Sequence, residues 1–206
     1  MLNENRDRHE HIGLGQIDIN DNYKQLIDVK ITGRVYEFIE SRIFNDYLYV
    51  RTRKAIFLVN RNDPSLYKIL FNGRATHLNE VVENNEIWFS VAKKGVHRIN
   101  FKSSDLDQLN NSEIRVYDDS YGLKGDIRIF NIFDRLIFQQ KADYNIYQFD
   151  ENNQTFNISK LFDLVPNIRN KNILKIKKTN SDTYWINFTE WTSRKRVQEF
   201  YELNSS

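Results

Sequence analysis

Four histidines, His9, His11, His77 and His97, are the first candidates for metal or acid–base chemistry, and their spacing gives them little to work with. His9-Glu10-His11 resembles a metal-binding dyad, but it lies in a charge-dense stretch from Asn3 to His11 that reads as a solvated tail. His97 alternates with Val96 and Arg98 in an extended run, the setting of a satisfied strand histidine. The chain has no cysteine, which excludes a disulfide framework, a cysteine-ligated zinc and a thiol nucleophile. It contains no Gly-x-Ser-x-Gly, His-Glu-x-x-His, P-loop or Gly-x-Gly-x-x-Gly motif, and Gly13-Leu14-Gly15 is too short to cradle a phosphate. None of the 28 acidic residues is singled out by spacing. The expectation is therefore a non-enzyme with no catalytic residue, no metal and no cofactor.

Binding remains. Trp191, in a polar loop, is the tryptophan placed to stack on a ligand, whereas Trp88 and Trp185 occupy the centres of apolar runs and are expected to pack between sheets. The 206 residues carry 30 basic and 28 acidic side chains, a net charge of +2, which argues against a nucleic-acid binder. The apolar runs are only a few residues long and residues 1–20 have no apolar h-region, so neither a membrane segment nor a signal peptide is expected in the chain as given.

Elements must position these residues, and the sequence points to strands. There are 14 Phe, 11 Tyr and 3 Trp beside only 7 Gly and 2 Pro. Runs such as Tyr47-Leu48-Tyr49-Val50-Arg51 and Ile87-Trp88-Phe89-Ser90-Val91 are apolar or alternating and end at turn-forming or charged residues. Only Ser104 to Leu109 and Ser159 to Leu164 suggest a helical turn.

The runs also repeat. Segments ending in an apolar residue and Asn or Asp recur at Asn20, Asn60, Asn100, Asp150 and Asn204, roughly 40, 40, 50 and 54 residues apart, close to a propeller-blade period. Each of the last four follows two other strands, and three of the segments precede a shorter one, giving an A-B-C-D grammar. A β-sandwich shares the strands but has no reason to repeat an ordered four-strand unit. The expected fold is all-β, a β-propeller segment of four-stranded antiparallel blades, about four to five in number and forming an incomplete ring. Residues 1–11 form the tail, and 12–206 a single propeller domain or fragment. Its blades are 12–30 (partial), 34–71, 75–118, 126–160 and 172–206 (partial).

Ile87-Trp88-Phe89-Ser90-Val91-Ala92-Lys93-Lys94-Gly95-Val96-His97-Arg98-Ile99-Asn100 resembles the two-component regulator propeller repeat. The usual form of that repeat is Leu-Trp-Ile-Gly-Thr, a short variable stretch, Gly-Gly-Leu and a Tyr/Arg-apolar-Asp/Asn ending. Leu48-Tyr49-Val50-Arg51-Thr52 is a weaker copy, and Tyr121-Gly122-Leu123 is similar to the segment that opens a blade, with Lys124 where the family has Pro. The resemblance implies the extracytoplasmic, periplasmic sensor portion of a Bacteroidetes-type hybrid two-component regulator. Such a portion binds a glycan-like or anionic signal and dimerises through sensor domains outside this chain. A protein-interaction scaffold is the alternative, and a propeller lyase or glycan hydrolase the third reading.

In this grammar the B–C and D–A connections emerge on one face and the A–B and C–D connections on the other. Loop charges then sum to about +8 on the first and about −9 on the second, a dipole hidden by the small net charge. For a bound anion the candidates on the basic face are Arg53, Lys93, Lys94, Lys124, Arg194 and Trp191, with Tyr121 and Tyr144 beside them.

Overall fold

The computed structural model describes residues 14–17, 23–27, 34–63, 65–163, 171–179, 183–192 and 195–204. Among them the chain forms seventeen strands in five antiparallel sheets, with three short 3-10 turns at Val82–Asn84, Leu106–Asn111 and Asp119–Tyr121. It divides into two compact units: Met1–Ala75 with Lys102–Asn111, and Thr76–Phe101 with Ser112–Ser206.

The first unit contains a hairpin, β1 (Leu14–Ile17) with β2 (Tyr23–Ile27), and a four-stranded sheet. That sheet is a meander of β3 (Val35–Glu40), β4 (Tyr47–Thr52), β5 (Ala55–Asn60) and β6 (Tyr67–Asn72). Its central strands are apolar at nearly every position because both faces are covered. Leu48, Val50, Ala55, Phe57 and Val59 form one cluster, while Tyr49, Ile56 and Leu58 are also fully buried. β6, at the edge, is mostly exposed. Thr52 closes the β4–β5 turn: its buried Oγ1 accepts from the Lys54 and Ala55 backbone N–H groups and donates to the Ala55 carbonyl.

The second unit contains three sheets. β7 (Ala75–Val81), β8 (Glu86–Val91), β9 (Gly95–Asn100) and β10 (Glu113–Tyr117) form the first. β11 (Ile127–Ile132), β12 (Arg135–Gln140), β13 (Ile146–Asp150) and β14 (Thr155–Ile158) form the second. β15 (Asn172–Lys178), β16 (Thr183–Thr192) and β17 (Lys195–Asn204) form the third.

Two cores alternate with these sheets, and the two-residue period of a strand deals side chains between them. From β12, Phe138 enters a core with Trp88, Val96, Tyr117, Leu123, Ile127, Ile129 and Phe156. Its neighbour Ile137 enters another with Ile132, Ile146, Ile173, Tyr184, Ile186 and Phe188. Gly95 is where the β8–β9 turn returns, at φ +79°, and a Cβ there would lie 2.0 Å from the Tyr117 carbonyl oxygen of β10. Only glycine allows that approach.

Trp185, expected between sheets, is 43% exposed, because its neighbours Tyr184 and Ile186 take the inward positions of β16.

Candidate functional site

Residues paired across neighbouring strands point to the same face of a sheet, and alternate residues share it. The register places Trp88 opposite Arg98 and Arg98 opposite Arg115; two residues along, Glu86 lies opposite Asn100 and Asn100 opposite Glu113. β8, β9 and β10 therefore project Glu86, Trp88, Arg98, Asn100, Glu113 and Arg115 from one face, the face carrying the core shared with β11–β14.

Arg98 is the hub. Its Nε donates to Glu86 Oε2 at 2.6 Å and its Nη1 to Glu151 Oε2 at 3.0 Å, so one guanidinium ties together β8, β9 and the β13–β14 turn. The guanidinium carbon sits 5.1 Å from the Trp88 ring centroid and 5.8 Å from that of Phe149, on the electron-rich faces that attract a cation. Burial alone would lower its pKa. The charge of Glu86 and the hydrogen bonds with Tyr117, Glu86 and Glu151 outweigh that and hold it above the ordinary arginine value.

The two carboxylates differ. Glu86, with its side chain 2% exposed, also accepts from Trp88 Nε1 at 2.7 Å and from Asn84 Nδ2 at 3.4 Å, so its buried charge is fully engaged. Glu151 is half-exposed, and its Oε2 also lies 3.3 Å from Gln154 Nε2. Gln154 in turn accepts from Arg115 Nη1 at 3.1 Å and from the Tyr117 hydroxyl at 3.2 Å. The turn is shaped by Asp150, whose Oδ1 accepts from the backbone of Asn152 and Asn153. Hydrogen bonds from the Asn153 side chain and backbone hold the Asp150 carboxyl below its usual pKa.

Two clefts share Glu151 as a lining residue. One of about 300 Å³ is lined by Arg98, Asn100, Glu113, Arg115, Glu151 and Gln154. The other, of about 310 Å³, runs past Glu86, Trp88, Phe138, Gln148, Phe149 and Glu151. Both have the size of small ligand pockets, and the second combines the partly exposed Phe149 ring with carboxylate and amide groups, the mixture that suits a hydroxyl-bearing ligand.

The residues expected from sequence lie elsewhere. Arg53 is exposed in the β4–β5 turn of the first unit; Lys93, Lys94 and Lys124 are exposed in the second, at the end opposite the clefts. There the Lys93 backbone N–H donates to Asp126 Oδ1 at 3.2 Å, and Lys141 lies 4.0 Å from Asp126. Connections 92–94, 118–126 and 141–145 of that end carry four lysines against four aspartates, so their charges cancel. Trp191 is in β16 opposite Arg196 rather than in a loop, because the β-prone Thr189, Trp191 and Thr192 extend the hairpin with β17 almost to its tip. Arg194 lies outside the described residues. Tyr121 packs edge-on against Tyr117, with ring centroids 5.1 Å apart.

Sequence reading passed over Glu86, Arg98, Arg115 and Glu151. The available signal was a polar residue at every second position in three successive strands, Glu86-x-Trp88, Arg98-x-Asn100 and Glu113-x-Arg115, but only the register puts the three pairs side by side.

No family model matches the chain, and no curated protein does. Among solved structures, that of streptogramin B lyase is similar with a TM-score of 0.58 and 14% identity, covering 95% of this chain and 63% of that one. The N-terminal domain of Nup159 is similar with a TM-score of 0.51 and 12% identity, covering 91% of this chain and 49% of that one. The fold is a β-propeller. Its blades are the antiparallel four-stranded meanders that the repeat grammar predicts. The chain spans less than two thirds of the length of either structure. Among the described residues no helix is long and apolar enough to cross a membrane.

Proposed function

We propose that this chain is the ligand-binding part of a sensor propeller of the two-component regulator type, presented outside the cytoplasm, and that it works by binding a glycan-like ligand without catalysing its conversion. The observation that carries the reading is the Arg98 seam, where aromatic rings, two arginines, carboxylates and amides converge on adjoining clefts. A hydroxyl-rich molecule needs that mixture of flat apolar faces and paired donors and acceptors. The repeat resemblance lends support at two positions: Trp88 is the central ring of a blade-to-blade core, and Gly95 stands where the backbone of β10 leaves no room for a Cβ.

The cleft end is favoured over the lysine-bearing end because Lys93, Lys94, Lys124 and Lys141 share their three connections with an equal number of aspartates. The test is calorimetric and thermal-shift titration with neutral and acidic mono- and oligosaccharides, followed by analysis of the recovered sugar. The expected result is a ligand that raises Tm and is recovered unchanged. A converted product, or a panel in which nothing binds, overturns the proposal.

A further inference from the structure

Arg98 is held by two carboxylates that are unequal in a way a purely structural ion pair does not require. Glu86 is buried and saturated by Arg98, Trp88 and Asn84, and removing it would strand a charge in the core. Glu151 is half-exposed, sits on a turn, and meets Arg98 through a single oxygen at 3.0 Å. Exposed ion pairs contribute little to stability, so this one can be exchanged at small cost. An arginine fork also favours two-point contact with a carboxylate, which one oxygen of Glu151 does not supply.

Position adds to the argument. Glu151 lines both clefts. Arg115, directly across the strand pair from Arg98, brings a second guanidinium to the same cleft, held by an exposed contact to Glu113 at 2.6 Å.

We propose that the Arg98 guanidinium is a receptor for a ligand carboxylate, and that Glu151 occupies the place this carboxylate takes, swinging out on binding and joining the two clefts. The ligand class is a small carboxylated molecule; a sugar acid would set its ring against Phe149 and its hydroxyls toward Asn100, Gln148 and Gln154. Exchange of one carboxylate for another leaves the charge around Arg98 unchanged, so Glu86 and the core beneath keep their partners. The inference rests on the binding reading above and narrows its ligand.

The test is calorimetric titration of the wild-type, Glu151→Gln and Arg98→Lys chains with glucuronate, glucose and glutarate. Glutamine retains a hydrogen-bonding oxygen but not the competing charge, so Glu151→Gln is expected to bind glucuronate about five- to tenfold more tightly than wild type. Wild type is expected to prefer glucuronate over glucose by about tenfold, and Arg98→Lys to lose that preference. Because Arg98→Lys disturbs a partly buried group, Glu151→Gln, altered only at a half-exposed turn, decides the matter alone. Glutarate binding alongside glucuronate supports recognition of the carboxylate by itself; glucuronate binding without glutarate supports recognition of a sugar acid. Equal binding of glucose and glucuronate by both wild type and Glu151→Gln overturns the inference and leaves the glycan-binding reading standing. Failure of every compound to bind either chain overturns both.

Discussion

The second unit contains two seams between successive sheets, built by the same strand order and filled differently. The seam below β8–β10 is aromatic: Trp88 stacks on Tyr117 at 5.5 Å and meets Phe138 and Phe149 edge-on at 5.4 and 5.1 Å. The seam toward β15–β17 gathers five isoleucines, Ile132, Ile137, Ile146, Ile173 and Ile186, among Phe130, Phe162, Tyr184 and Phe188. Their polar edges follow suit. The indole N–H and tyrosine hydroxyl of the first seam are donors that reach into an apolar layer, so Glu86 and Arg98 can be accommodated beside it. The second is fastened to the backbone: buried Gln139 accepts from the Ile173 N–H at 2.9 Å and donates to the Lys171 carbonyl at 2.7 Å, while the Arg128 guanidinium donates to the Asn172 side chain and to the Ile173 carbonyl. One seam is therefore edged by carboxylates paired with arginine near solvent, and the other by side chains fastened to the backbone.

That contrast can be broken most sharply at Glu86. Glu86→Ala is expected to cost about 3–5 kcal/mol in urea unfolding because it leaves Arg98 and the Trp88 N–H short of a partner. The double variant Glu86→Leu/Arg98→Met should recover most of that loss. If the double variant is as unstable as the single one, the charge account of this seam is wrong. On the isoleucine-rich side Ile186→Ala is expected to cost about 3 kcal/mol through its cavity, with ligand affinity at the other seam unchanged. Gly95→Ala, which pushes a Cβ against the Tyr117 carbonyl, should cost about 2 kcal/mol by the same measurement.

A pH titration reads the opposite face of β9 from the Arg98 seam. His97, in β9 and stacked on Phe89 at 5.2 Å, has its pKa lowered from 6.5 by burial and then by the charge of Lys94. The folded chain thus binds fewer protons here than the unfolded one. Its contribution to stability is complete above about pH 6.5 and is lost as pH falls toward the depressed value. His97→Phe should flatten the decline of Tm between pH 7 and pH 5, and an unaltered slope would show that the decline has another source. The smallest effect belongs to Glu151→Gln, expected within about 1 kcal/mol of wild type in unfolding; a larger loss would make Glu151 a structural tie and weaken its role as an exchangeable group.

The fold was largely legible in the chain. Period-2 runs, turn residues and the recurring apolar-Asn/Asp ending identify strands because a blade buried on both faces demands bulky side chains at successive positions. β8, buried at all six residues, is the clearest case. The site was not legible to the same degree. A count of charged loops pointed to Lys93, Lys94 and Lys124, but loop charges can be offset by neighbours from other connections, as Asp126 does for Lys141 at 4.0 Å. Arg98 read as one polar residue in an ordinary strand, and nothing in the order of residues announces that Glu86 and Glu151 will meet it 12 and 53 residues away.

Sequence alone determined that the chain forms strands and how they repeat, since these depend on local geometry and on the two-residue period of the backbone. Tertiary structure decided which charges meet. The strength of an ion pair depends on the distance and solvent exposure of its partners, and those are set by register between strands and by the placing of one sheet's turn over the face of the next.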